Sequence, residues 1–94
     1  MAEKKVTPDK QAQGARLEQL RIALGYKTKT DFAKFLKVGE DTYRHYAEGR
    51  VGIQLDILMF LKRKHGVPSD WLLDGDDRLL PKWIYDKLYP RDTG

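Results

Sequence analysis

Between residues 40 and 48 the chain sets two kinds of side chain in register. Tyr43 and Tyr46 repeat at helical spacing on one side, while Glu40, Asp41, Arg44, His45 and Glu48 fall on the other. The polar set offers hydrogen-bond chemistry. An arginine fork matches the acceptors of guanine and of phosphate, a histidine donates to either in the right tautomer, and a carboxylate accepts from the cytosine amino group. An α-helix fits the major groove of B-DNA, and one braced at a steep angle presents its first turn to base edges. The same pattern equally describes an ordinary solvated helix face. Glu40 and Asp41 also have a second reading, because carboxylates at a helix start complement the positive end of its dipole.

Other constellations lead nowhere catalytic. The two histidines, His45 and His65, stand twenty residues apart, with no carboxylate pair or serine that would make a triad evident. Asp74, Asp76 and Asp77 lack the spacing and the closing Glu of a calcium loop, and read as a solvated acidic turn. The absence of cysteine excludes a disulfide framework and a thiolate metal site, as a reducing cytosol permits. The expectation is therefore a cytoplasmic protein that is not an enzyme and carries no cofactor, no metal and no evident small-molecule substrate.

At 94 residues there is room for one compact domain and no separate effector domain. Lys4 and Lys5 precede no apolar run, and the stretch from Leu55 to Leu61 is too short to span a bilayer, so no membrane role is expected. Net charge is +4, unevenly placed: through His65 there are 14 Lys and Arg against 8 Asp and Glu, and from Gly66 onward 4 against 6. A basic front and an acidic tail suit a polyanion-binding module, although many basic small domains bind no nucleic acid.

The elements that must position these residues read as helices throughout. Thr7 and Pro8 are expected to open the first, with Asp9 in its first turn; Leu17, Leu20 and Leu24 are its buried stripe, and Gly25 ends it. Thr28 and Asp31 resemble a capping box for the second, which turns Phe32, Ala33 and Leu36 inward. After a turn at Val38 and Gly39 comes the third, from Glu40 to about Glu48, with Gly49 just beyond its end. A fourth, Gln54 to His65, is apolar nearly all round, as befits the centre of a bundle. Gly66 stops it, Pro68 opens a fifth carrying Trp71, Leu72 and Leu73, and a short extra helix from Pro81 presents Trp83, Ile84 and Leu88. This gives an all-α fold of five short helices plus a C-terminal one. The divisions are a tail with the start of helix one (1–13), a helix-turn-helix domain (14–75) and a C-terminal extension (76–94).

From Arg16 to Gly75 the sequence resembles the phage repressor and Cro type of helix-turn-helix, the XRE or lambda-repressor-like family. The resemblance is carried by Arg16-Leu17-Glu18-Gln19-Leu20-Arg21, Phe32-Ala33-Lys34-Phe35-Leu36, Tyr46-Ala47-Glu48-Gly49-Arg50 and Gly66-Val67-Pro68-Ser69-Asp70-Trp71-Leu72-Leu73, in that order and spacing. It implies a transcriptional regulator, of the phage or prophage repressor type, that places helix three in the major groove of double-stranded DNA. Base contacts then fall to Glu40, Asp41, Arg44 and His45, with Arg44 and His45 the better suited. By family position Lys27, Thr28 and Lys29 at the start of helix two, with Arg50, meet phosphates; free helix amides let Thr28 serve without charge. Lys4, Lys5, Lys10, Lys34 and Lys37 would add only non-specific attraction.

Three departures from the family pattern stand out. Lys37 occupies a turn position that favours glycine, at a cost of roughly 1 kcal/mol. The acid that would pair with Arg21 near the end of helix three is replaced by Ala47, so such a pair must use Glu48 or be absent. Helix three also begins with Glu40 and Asp41, which repel phosphate. Two functions from different classes follow. One is a homodimeric DNA binder on a two-fold site with half-sites about one helical turn apart, its dimer contacts drawn from Val67 to Leu73 and the last helix. The other is a protein-interaction module on the same scaffold, its DNA affinity spoiled by those two acids.

Overall fold

The computed structural model describes residues 9–90, which form six helices and no strand: α1 (Lys10–Leu24), α2 (Lys29–Leu36), α3 (Glu40–Ala47), α4 (Leu55–His65), α5 (Ser69–Asp74) and α6 (Lys82–Leu88). The chain is all-α with a short C-terminal helix, as its periodicity implies. The start of α1 differs from expectation. Asp9 lies outside the first turn and is itself the N-cap, its carboxylate accepting from the Ala12 amide at 3.1 Å. Asp caps more strongly than Thr; Thr7 and Pro8 lie outside the described residues. Thr28 caps α2 as expected, its hydroxyl oxygen accepting from the Asp31 amide at 3.1 Å.

Helices α1 to α3 stop by one device. A residue in the left-handed region (Gly25, Lys37, Gly49) turns the chain, and the amide after it reaches back five residues, Tyr26 to Arg21, Val38 to Ala33 and Arg50 to His45. Lys37, at φ 63°, is the one non-glycine residue with positive φ among the described residues. The tight turn between α2 and α3 therefore keeps its shape without glycine, at a cost of about 1 kcal/mol for the Cβ.

Helix α1 lies at the centre, against α3, α5 and α6, with Leu17 and Leu20 fully buried. This corrects the reading of α4 as the central helix: α4 packs chiefly on α5 and buries only Ile57, Leu58 and Leu61, leaving Leu55 and Met59 exposed. A hydrophobic run shows that a helix has apolar neighbours but not how many of its sides they cover. Phe32, Leu36, Tyr43, Trp71, Leu72 and Ile84 complete one continuous core. Arg16 closes the end of α5, donating from Nε to the Leu72 carbonyl at 3.0 Å and from Nη2 to that of Leu73 at 2.9 Å. Val67, Trp71 and Leu72 are interior to the fold, so the stretch from Val67 to Leu73 does not present them for the dimer contact expected of it.

His65, the last residue of α4, sits between the rings of Phe35 at 5.2 Å and Trp83 at 6.2 Å, and its Nε2 is buried without a hydrogen-bond partner. Burial lowers its pKa below the usual 6.5, because an imidazolium there would be poorly solvated. The unfolded chain therefore takes up this proton more readily than the folded one. The His65 contribution to stability is complete above pH 6.5 and is lost as pH falls through the folded pKa. Denaturant unfolding at a series of pH values should show the loss in the wild type and a smaller one in His65→Phe; equal slopes would refute it.

Candidate nucleic-acid interface

The first requirement of a docking helix is that its back be held. Tyr43 and Tyr46 are buried beneath α3 while Glu40, Asp41, Arg44, His45 and Glu48 stay exposed, as the periodicity implies. No described residue covers that polar face: Arg44 and Asp41 keep 48 % and 85 % of their side-chain exposure. Three contacts fix the helix beneath it.

At the middle of α3, the Tyr43 hydroxyl donates to the Glu18 carboxylate of α1, and its ring meets Phe32 edge-on at 5.6 Å. Glu18 also accepts from Arg21, with Nε 3.2 Å from each oxygen, and lies 3.4 Å from the Lys29 ammonium at the start of α2. Arg21 in turn donates from Nη1 to the carbonyls of Tyr26 and Lys27, both at 2.8 Å, fixing the loop into α2. One carboxylate thus joins three helices. Burial by itself raises the Glu18 pKa, but the hydrogen bonds from Arg21 and Tyr43 and the charges of Arg21 and Lys29 outweigh it and hold the carboxyl below its usual range. Burial and the adjacent carboxylate push the Tyr43 phenol far above its own. Arg21 therefore has its acid on α1, one turn away, and the pair with Glu48 is absent.

At the end of α3, its backbone meets that of α1. A Cβ built on Gly14 would stand 2.5 Å from the carbonyl oxygens of both Tyr46 and Ala47. Only glycine admits so close a crossing. At the start, the Thr30 hydroxyl of α2 donates to the Glu40 carboxylate at 2.5 Å. The sequence leaves Glu40 and Asp41 equivalent, whereas the fold separates them. Glu40 is tied to α2, while Asp41 stands in solvent, 3.2 Å from the Arg44 guanidinium.

The remaining candidates divide between the two ends of α3. Lys27, Thr28 and Lys29 are exposed at the start of α2, beside the Thr30–Glu40 link. Arg50 is exposed just past the far end, its Nε 3.0 Å from Glu48. Arg44, Arg50 and Lys29 each face a carboxylate of the chain itself. With His45 neutral, the polar face from Glu40 to Arg50 sums to one negative charge, so the basic character lies on α2, where Lys34 and Lys37 are also exposed. Lys4 and Lys5 lie outside the described residues.

The acidic turn after α5 has a local role: Asp76 accepts from the Arg78 side chain at 2.9 and 2.6 Å and from its amide at 3.1 Å, which brings the carboxyl down to about 2. Among the described residues no group of three His, Cys, Asp or Glu could hold a metal ion, and no helix is long and apolar enough to cross a membrane. Gly14, Glu18 and Thr30 were not singled out by the sequence. Gly14 carried a usable signal, since glycine inside a helix costs about 1 kcal/mol and calls for a packing reason. Glu18 carried half a signal, an acid one turn before Arg21 on the same helix, but its links to Lys29 and Tyr43, like that of Thr30 to Glu40, cross between helices and were not legible. Compared with protein-family models, with curated proteins and with solved structures, the chain matches none.

Proposed function

We propose that this protein binds double-stranded DNA with α3 in the major groove, acting as a transcriptional regulator of the lambda-repressor-like, phage repressor type and as a homodimer in the cytoplasm. The observation that carries this reading is the exposed, wholly polar face of a helix pinned at its start, middle and end. The arrangement of cations supports it too. Eight residues of helix extend about 12 Å, close to the width of the major groove, so the Lys27–Lys29 corner and Arg50 suit phosphates on opposite sides of it. Asp41 suits a cytosine amino group and Arg44 a guanine, while Glu40 serves the α2–α3 junction.

The near-neutral face of α3 favours a second reading, a protein-interaction module with little DNA affinity. Titration of duplex DNA at rising salt separates the two. A binder that neutralises about three phosphates per subunit, through Lys27, Lys29 and Arg50, loses affinity with a log–log slope near −2.7 per subunit, whereas the module shows no binding to lose. For the binder, Arg44→Ala should weaken a selected site by about 1–3 kcal/mol and relax one base position, whereas Lys27→Ala should weaken all sequences alike. Equal losses for Arg44→Ala on selected and random duplexes would remove Arg44 from base reading.

A further inference from the structure

Helix α4 carries an apolar seam that nothing in the described chain covers. Leu55 is 68 % exposed and Met59 48 %, four residues apart, and the stem of Lys62 continues their face three residues on, the spacing of one helix packed along another; Gly66 caps the helix at its end. Beyond Lys62 and Gly66 a recess of the same face is lined by Asp70 and by Leu79, itself 74 % exposed. Single exposed leucines are ordinary. Here they lie in register, on the helix whose apolar content exceeds what its own fold buries.

The charges beside the seam identify the occupant. Asp56 and Arg63 lie seven residues apart, two turns on one flank of α4, and carry opposite signs. Neither has an ion-pair partner among the described residues. The other arginines among those residues are all engaged: Arg16 with carbonyls, and Arg21, Arg44, Arg50 and Arg78 with carboxylates. The midpoint of Asp56 and Arg63 falls beside Met59. A two-fold axis there would run a second α4 antiparallel to the first, setting each Asp56 against the Arg63 of the other copy. One operation then covers the apolar seam and pairs both flanking charges, as an isologous interface requires. The Lys62 stem can lie along such a seam with its ammonium at the rim.

We infer that the outer face of α4, centred on Met59 and flanked by Asp56 and Arg63, is the surface through which two copies of this chain pair. The inference rests on the homodimer of the proposed function and does not require DNA. A contact of this length is at the small end of specific interfaces, so the dimer is weak and dissociates on dilution. Sedimentation equilibrium without DNA tests it. The mass of the wild type should rise toward twice that of the monomer as chain concentration increases, and Met59→Glu should stay monomeric. Asp56→Arg and Arg63→Asp should each weaken pairing about tenfold, and the double reversal should restore it, which also shows that the single variants fold. A wild type monomeric throughout overturns both the surface and DNA-independent dimerisation. A dimer indifferent to Met59→Glu, or a double reversal as weak as the singles, overturns the surface alone. DNA binding in the salt titration stands or falls separately.

Discussion

Gly14→Ala should cost about 3 kcal/mol, among the largest effects of any conservative change in this chain. An alanine inside a helix ordinarily gains up to about 1 kcal/mol over glycine. Here the added Cβ would stand 2.5 Å from two carbonyl oxygens of α3, and backbone cannot swing aside as a side chain tip can. The helices must separate, and α3 loses the support at its end. For a domain of this size the loss lowers Tm by about 15 °C, readable by thermal unfolding. Gly39→Ala is the control: Gly39 has φ −69°, and the nearest atom to its added Cβ is the Thr42 hydroxyl at 3.9 Å, so the change meets no clash and should cost only about 1 kcal/mol, the penalty of alanine at the N-cap of α3. Equal stability of the two variants would show that α1 and α3 do not cross as closely as described.

Removing Glu18 should be comparably severe. Glu18→Ala strands the Tyr43 hydroxyl and leaves Arg21, whose side chain is 11 % exposed, without its carboxylate. A partly buried charge and a buried donor that both lose their acceptor cost about 3 kcal/mol together. Glu18→Gln keeps an acceptor and loses the charge, so it should fall between alanine and wild type. The acid dependence supplies the sign. The folded carboxyl has its pKa held below the usual 4.5, so its stabilisation is complete above that pH and is lost as pH falls through the folded value. The advantage of wild type over Glu18→Gln should therefore shrink below pH 4.5. An advantage unchanged by acid would mean that the Glu18 charge does not hold α1, α2 and α3 together. If α3 is the DNA-binding helix, Glu18→Ala should also lower affinity without touching DNA.

The cap at Thr28, the left-handed stops at Gly25 and Gly49, and the inward placing of Phe32, Tyr43 and Tyr46 were legible because each depends on residues a few positions apart. Backbone sterics and the helical period act over that range, and a linear sequence displays it directly. The candidate face was legible on the same ground: Asp41, Arg44 and His45 are exposed because they lie opposite two tyrosines.

Which helix is central, which acid is free and what else Glu18 holds depended on residues far apart in the chain. Leu55 and Met59 look as buried as Ile57 and Leu58 until it is known that α4 has neighbours on one side only. Glu40 and Asp41 differ only because Thr30 reaches one of them, and Glu18, whose pairing with Arg21 is local, holds three helices only because the fold also brings Tyr43 and Lys29 to it. The sequence by itself determined the helices, their ends and their polar faces, since these arise from sterics and periodicity within a few residues. Only the tertiary structure decided how they cross and which charges meet, because a side chain's energy depends on neighbours brought to it by the rest of the fold.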